Sequence, residues 1–243
     1  MQNKKQPVLL VLGSLNLDLV LNVARMPEGG ETLASDHSAT FCGGKGANQA
    51  VACARMGAPV FMIGRVGDDP AASMLRTGLD QEGVDLDGVM TTPDCASGIA
   101  VVMLTPDGEN RIVLAAGANA KLCPADVAAT GAAFDRAGML VCQLETPLET
   151  IIAAAAAAAS RNIPVLLNPA PARALPADLL DKVDYLVPNE LEAATLTGIA
   201  VRDDASAQQA ARALLARGVG CAVLTRGAAG ITIADAQGCR HMP

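Results

Sequence analysis

The apolar residues of this chain fall into two kinds of run. Val8 to Leu12, Val60 to Val66, Met139 to Leu144, Val165 to Leu167, Tyr185 to Val187 and Ala222 to Leu224 are short and nearly continuous. Runs of that length predict strands buried on both faces of a parallel sheet. The second kind has helical length and punctuation: Ala47 to Met56 before Gly57, Pro70 to about Glu82 before Gly83, Glu190 to Leu196, and Ala205 to Arg217. Asp69-Pro70 predicts an N-cap with proline at the first helical position. Thr146-Pro147-Leu148-Glu149 predicts a capping box opening a packed helix through the alanines at 153 to 159. Strands and helices alternate, which predicts an α/β fold: a Rossmann-like three-layer α/β/α arrangement with a mostly parallel sheet and ligands at the strands' carboxyl ends.

Two stretches leave that rhythm. Asp18 to Val23 alternates, Glu31 to Phe41 is extended and half polar, and Pro27, Gly29 and Gly30 join them. Ile99 to Leu104 and Arg111 to Ala115 flank an Asp107-Gly108 turn, a hairpin signal. Together they predict a small β-sheet lid formed by about 16–42 and 97–116, inside one domain over 1–243. The last residues, ITIADAQGCRHMP, read as a strand, a turn and the start of another strand. The expectation is that the C-terminal part of the fold is missing and that an apolar sheet edge is left open.

Composition narrows the partners. At 243 residues and 51% hydrophobic content, the chain is long enough for a sizeable core. A net charge of −7 offers no basic patch for nucleic acid or an anionic membrane. Aromatics are limited to Phe41, Phe61, Phe134 and Tyr185, too few to stack bases. Seven cysteines without a C-x-x-C pair and two distant histidines, His37 and His241, support neither a disulfide framework nor a zinc site. The thiols read as small buried hydrophobes in a reducing compartment. The N-terminal apolar run, behind Lys4 and Lys5, is too short for a signal sequence or a span, so a cytoplasmic location is expected.

The candidate chemistry gathers at strand ends. Asn16 and Asp18, just past the first strand, are two apart in an extended segment and share a face. An amide and a carboxylate there suit vicinal hydroxyls, although a simple turn would also use them. Gly43-Gly44-Lys45-Gly46-Ala47-Asn48 lets backbone approach a ligand and leads into a helix expected to offer free N–H groups. It matches neither the Walker A loop nor G-x-G-x-x-G, which disfavours a nicotinamide dehydrogenase. Glu145 follows another strand; as an alternative, it is an acid stabilised by the next helix's dipole. Asn189 and Glu192 open a further helix, and Thr225-Arg226-Gly227-Ala228-Ala229-Gly230 forms a glycine-rich turn. Acids, amides and glycine loops at consecutive strand ends suit phosphoryl transfer.

In order, GSLNLD, GGKGANQA, AAGANA, QLETPLE, LNPAPAR, PNELEA and LTRGAAG resemble the ribokinase or PfkB carbohydrate kinase family over essentially the whole chain. The resemblance implies ATP-dependent phosphorylation of D-ribose at its 5-hydroxyl, with Mg²⁺ and an activating monovalent cation such as K⁺. It implies sugar binding by Asn16, Asp18, Gly44, Lys45, Gly46, Ala47, Asn48 and Glu145. Nucleotide binding falls to Asn189, Thr225, Arg226, Gly227, Ala228, Ala229 and Gly230, and Mg²⁺ to Glu192 through water. The lid would pair with another subunit's lid in a homodimer. The family's Gly-Ala-Gly-Asp motif, source of the general base and of an anion hole, has no counterpart in these 243 residues, nor has its cation loop. Without base and anion hole the rate falls by roughly five decades. The expectation is therefore a chain that recognises sugar without transferring phosphoryl, with a non-catalytic binding protein or a partner-completed fragment as alternatives.

Overall fold

The computed structural model describes residues 6–243; Lys4 and Lys5 lie outside them. The chain begins with β1 (Val8–Leu12), β2 (Asn16–Asn22), β3 (His37–Gly43), α1 (Lys45–Arg55), β4 (Val60–Val66), α2 (Pro70–Gln81) and β5 (Asp85–Thr91). It continues through β6 (Gly98–Leu104), β7 (Asn110–Ala115), α3 (Pro124–Ala129), α4 (Gly131–Phe134), β8 (Ala137–Cys142) and α5 (Leu148–Ala159). β9 (Val165–Leu167), α6 (Ala177–Leu180), β10 (Tyr185–Leu186), α7 (Glu190–Thr197), α8 (Asp204–Leu215), β11 (Cys221–Thr225), β12 (Ile231–Asp235) and β13 (Gly238–Met242) complete it. Short 3-10 turns occupy Gly117–Lys121 and Gly227–Ala229.

The main sheet has the order β13-β12-β11-β10-β9-β8-β1-β4-β5. It is parallel from β11 to β5; the pairs β11–β12 and β12–β13 are antiparallel, so β12 alone runs against the other strands. Side-chain alternation splits the core. Leu10, Leu12, Ile63 and Leu140 pack with Phe134, Ile151 and the alanines of α5, while Val11, Met62 and Val141 pack with Ala50, Leu75 and Leu79 of α1 and α2. Ala154, Ala155 and Ala158 are fully buried, so the alanine run is a packed helix whose small side chains let α5 approach the sheet closely.

A second sheet, β3-β2-β6-β7, stands apart from the first. β2 pairs with β6 in parallel, and the other two pairs are antiparallel. After β1 the chain crosses into this sheet, returns at α1, crosses again after β5 and returns after β7. From β1 the main sheet then grows in one direction through β4 and in the other through β8. That reversal is a topological switch point, where a crevice opens at the carboxyl ends.

Several expectations need correction. Strand β5 was not foreseen, because Asp85 and Asp87 mask its alternation; charge of this kind guards a sheet edge. The short helices α3 and α4 also escaped notice. The extended segment before Phe41 pairs only from His37 onward. The capping box at Thr146 does not form: Pro147 occupies the N-cap with no side-chain bond, which leaves Thr146 one residue too early. Its buried Oγ1 has no partner among the described residues. Of the cysteines only Cys142 is buried, with its thiol pushed up to about 12 by burial, and Cys42 is exposed on the lone edge strand β3. The β13 edge is also less apolar than expected, since it carries Arg240 paired with Asp235 at 2.8 Å.

Candidate functional site

At the switch point three segments converge: Gly13-Ser14-Leu15 after β1, the start of α1, and Gln143 to Thr146 after β8. Their backbones touch. A Cβ on Gly46 would lie 2.6 Å from the carbonyl carbon of Gly13, and one on Gly13 only 2.8 Å from the Cα of Gly46. Gly44, at φ 92°, turns the chain into α1; a Cβ there would lie 2.8 Å from both Ser14 O and Asn16 N, so a side chain would be strained and obstructed.

Glu145 sits at the centre of this junction. Its Oε2 accepts from Ser14 Oγ at 2.6 Å and from Lys45 N at 3.2 Å, and its Oε1 lies 3.6 Å from Lys45 Nζ. Gly46 N donates to Ser14 Oγ at 3.3 Å and Ala47 N to Ser14 O at 3.0 Å. The first N–H groups of α1 are therefore engaged, contrary to the expectation of a free helix start. Glu145 stabilises the N-terminus of α1, across the crevice, rather than the helix that follows it in sequence.

What stays open for a ligand is side-chain chemistry. Asp18, on β2, projects beside Gly43, where a Cβ would come within 2.1 Å of its Oδ2. Its Oδ1 is buried and has no partner among the described residues. Burial raises the Asp18 carboxyl above its usual range, the Glu145 carboxylate raises it further, and Lys45 opposes both. Asn16 is 3% exposed. Its Oδ1 accepts from Asn119 Nδ2 at 2.8 Å, and Asn119 in turn holds Leu15 N and Leu15 O at 2.9 and 3.0 Å. Lys45 reaches outward with its side chain 40% exposed, and Asn48 is exposed on the first turn of α1.

A second group lies along the same edge. Asn189 caps α7 through a reciprocal box: its Oδ1 accepts from Glu192 N at 2.8 Å, while Glu192 accepts from Asn189 N at 2.8 Å and from Asn189 Nδ2 at 3.0 Å. Asn189 bridges Thr225 at the end of β11. Arg226 is nearly buried between Glu190 at 3.3 Å and Asp204. Beyond it, Gly227 and Gly230 take positive φ around a 3-10 turn containing Ala228 and Ala229. This group is set apart from Glu145 by the width of β9, so at about 4.8 Å per strand the ends of β8 and β10 are roughly 10 Å apart. The sequence-predicted residues thus form two clusters on one edge.

Ser14, Asn119 and Gln143 lie inside the motifs GSLNLD, AAGANA and QLETPLE, but the sequence assigns none of them a role. Gln143 is fully buried and bonds Gln49 of α1. The partners of Ser14 and Asn119 lie 131 and 104 residues away, so spacing along the chain gave no sign of them. Among the described residues no three His, Cys, Asp or Glu side chains converge on a metal position, and no helix is long and apolar enough to cross a membrane.

The sequence and the fold are similar to those of known proteins. Ribokinase of Haemophilus influenzae is 40% identical over 225 residues, 93% of this chain and 74% of that protein. The bifunctional ribokinase/ribose-5-phosphate isomerase A of Fructilactobacillus sanfranciscensis is 41% identical over 223 residues, 91% of this chain but only 41% of that longer protein. The structure of Arabidopsis thaliana ribokinase complexed with ribose and ATP superposes with a TM-score of 0.89 at 32% identity, covering 98% of this chain and 78% of that one. Residues 6–243 match the pfkB family carbohydrate kinase profile. The chain belongs to the pfkB family of carbohydrate kinases.

Proposed function

We propose that this chain takes part in ATP-dependent phosphorylation of D-ribose at its 5-hydroxyl, and that Asn16, Asp18, Lys45, Asn48 and Glu145 receive the sugar. The observation that carries this is Asp18 Oδ1, a buried acceptor without a partner beside an acid and a lysine. Burying an unsatisfied carboxylate oxygen is unfavourable unless a ligand donates to it. A neutral polyol supplies donors without adding charge. A sugar that already carried phosphate would meet two carboxylates against one ammonium.

The nucleotide belongs at the β10–β11 end, where Asn189 and the turn from Thr225 to Gly230 stand. A gap of roughly 10 Å between strand ends suits a phosphate chain reaching back to the sugar. Transfer breaks the bond between the γ-phosphorus and the oxygen bridging to ADP and forms one to the ribose 5-oxygen. The 5-hydroxyl proton goes to a base. Magnesium, when bound, neutralises charge on the phosphates. Glu192 fits it only through water, because both carboxylate oxygens already accept from Asn189 and, among the described residues, no three metal-ligating side chains converge there.

We expect the polypeptide to bind ribose without a cofactor present. One face of the second sheet exposes Phe41, Ile112 and Leu114. Such an apolar patch supports pairing with a second copy of the sheet. Titration calorimetry with millimolar ribose, beside a coupled ADP-release assay, tests the sugar and turnover readings. Undetectable ribose binding overturns the sugar site, and ADP release that does not depend on ribose overturns the phosphoryl-transfer reading. Sedimentation velocity tests the dimer, and a monomer at high concentration overturns it.

A further inference from the structure

We propose that Asn119 is a positioning residue that fixes the polarity of the Asn16 amide, so that Asn16 offers hydrogen-bond donors, not an acceptor, to the sugar. The inference rests on the sugar-binding reading above. It follows from a chain of bonds that begins at a group with one possible role. The Leu15 backbone N–H is only a donor, and it meets the Asn119 side chain at 2.9 Å, so that atom of Asn119 is its oxygen. The other end of the Asn119 side chain is therefore NH₂. It reaches two acceptors, Leu15 O at 3.0 Å and the Asn16 side chain at 2.8 Å. The Asn16 atom at that contact must accept, which makes it the oxygen. The Asn16 NH₂ is left facing away from Asn119, and among the described residues nothing in the protein bonds it.

The arrangement is braced on every side. Asn119 is 1% exposed and is carried on the 3-10 turn between Ala118 and Leu122, both buried in the core. A Cβ on Gly98 would fall 2.2 Å from Asn16 Oδ1 and 2.3 Å from Asn119 Nδ2, so the contact between the two amides requires glycine there. Asn16 and Asp18 lie on one face of β2. With the amide polarity fixed, that face presents one donor group and one acceptor group. Each hydroxyl of a vicinal pair both donates and accepts, so a diol matches this face and a deoxy sugar leaves one group unpaired. Asn119 also links the first residue of the second sheet to the turn where the chain leaves that sheet. The polarity of the site and the seating of the sheet thus share one side chain.

Two measurements test this. In side-chain amide ¹⁵N spectra of the native chain without sugar, with Asn16 assigned by its loss in Asn16→Ala, the Asn119 NH₂ protons exchange with water at least about tenfold more slowly than those of Asn16. Equal or reversed exchange overturns the polarity. By calorimetry, Asn119→Ala weakens ribose binding about tenfold in the native background and less than about twofold in an Asn16→Ala background. Equal losses in both backgrounds overturn the positioning role, since general loosening would not depend on Asn16. Asn16→Asp covers the case in which Asn119→Ala fails to fold. Its carboxylate still accepts from Asn119 but offers no donor, so ribose affinity falls about tenfold or more, and retention within twofold overturns the proposal. A native chain that does not bind ribose overturns the sugar reading and the binding role with it, while the exchange order still decides the polarity.

Discussion

The two clusters on the carboxyl edge follow opposite rules. Around β10 and β11 the polar side chains satisfy one another: Asn189 and Glu192 close a reciprocal box, and Arg226 lies between Glu190 and Asp204. Around β1 and β8 the protein bonds only part of itself: besides Asp18, the buried Gln143 Oε1 and Thr146 Oγ1 also lack a partner among the described residues. Glu145 and Ser14 hold α1, Asn119 holds Asn16, and beyond them Asp18 keeps a buried oxygen without a partner. A self-satisfied cluster stabilises the fold with or without ligand. An unsatisfied one destabilises it slightly and recovers that loss when a ligand binds. Side chains at the sugar end should therefore govern affinity more than stability, and capping residues near the nucleotide end should do the reverse.

The largest effect is expected where one change damages the junction itself. Gly46→Ala drives a methyl into the Gly13 backbone, and neither the end of β1 nor the start of α1 can yield cheaply. Overpacking of this kind costs about 3 kcal/mol, which lowers Tm by roughly 10 °C in a chain of this size. Ribose binding is lost with it. Scanning calorimetry that finds a native Tm for this variant would show that the two segments are not in contact. Asp18→Ala separates the two properties. Ribose affinity falls about 100-fold, as expected for a hydrogen bond to a charged acceptor, while Tm stays level or rises because a desolvated carboxyl has gone. A lower Tm with unchanged affinity would reverse the roles assigned to the two ends.

How much of this was legible in the sequence differs between the same regions. Buried strands such as Val8–Leu12, Val60–Val66 and Val165–Leu167 were readable to the residue because both faces are apolar. Edge strand β5 was hidden by the aspartates that protect it. In the first cluster, Asn16 and Asp18 stand out because they lie two apart just past a buried strand, and Lys45 because glycines flank it. The self-contained cap of α7 was visible too, since Asn189 and Glu192 are three residues apart. What stayed illegible were the long-range partnerships. Nothing in the local sequence says that Glu145 stabilises a helix beginning 100 residues earlier, or that Asn119 holds Asn16. Thr146 failed in the opposite sense: its local pattern was right for a cap, but Pro147 moved the helix start by one residue.

Asp18 also gives the comparison a dependence on pH. Its folded pKa is raised above the ordinary 3.8, chiefly by burial and then by Glu145. In the window just above pH 3.8 the folded chain keeps a proton that the unfolded chain has released, so this group makes stability fall as pH rises through the folded pKa. In the sugar contact proposed for Asp18, hydroxyls donate to the carboxylate, so binding would expel that proton. Ribose affinity should therefore climb over the same window by at most about tenfold per pH unit. Calorimetry in two buffers of different ionisation enthalpy reads the proton release directly. Affinity independent of pH across that window would remove Asp18 from the sugar contact.

The smallest expected effect is the sharpest test of independence between the ends. Asp203 caps α8, accepting from Ser206 N at 2.8 Å and from Ser206 Oγ at 2.6 Å, and the next residue, Asp204, holds Arg226. Asp203→Ala removes an N-cap worth about 1 kcal/mol, which lowers Tm by roughly 2–4 °C. The loosened first turn of α8 also frees Arg226 on one side. None of these bonds reaches Ser14, Asn16, Lys45 or Glu145, whose partners all lie on β1, β2, α1, the turn after β7 and the segment after β8. Ribose affinity should then stay within about twofold of native, since sites without shared partners add nearly independently. A loss of tenfold or more on this variant would mean that the two clusters move together, and that the self-satisfied end sets the geometry of the open one.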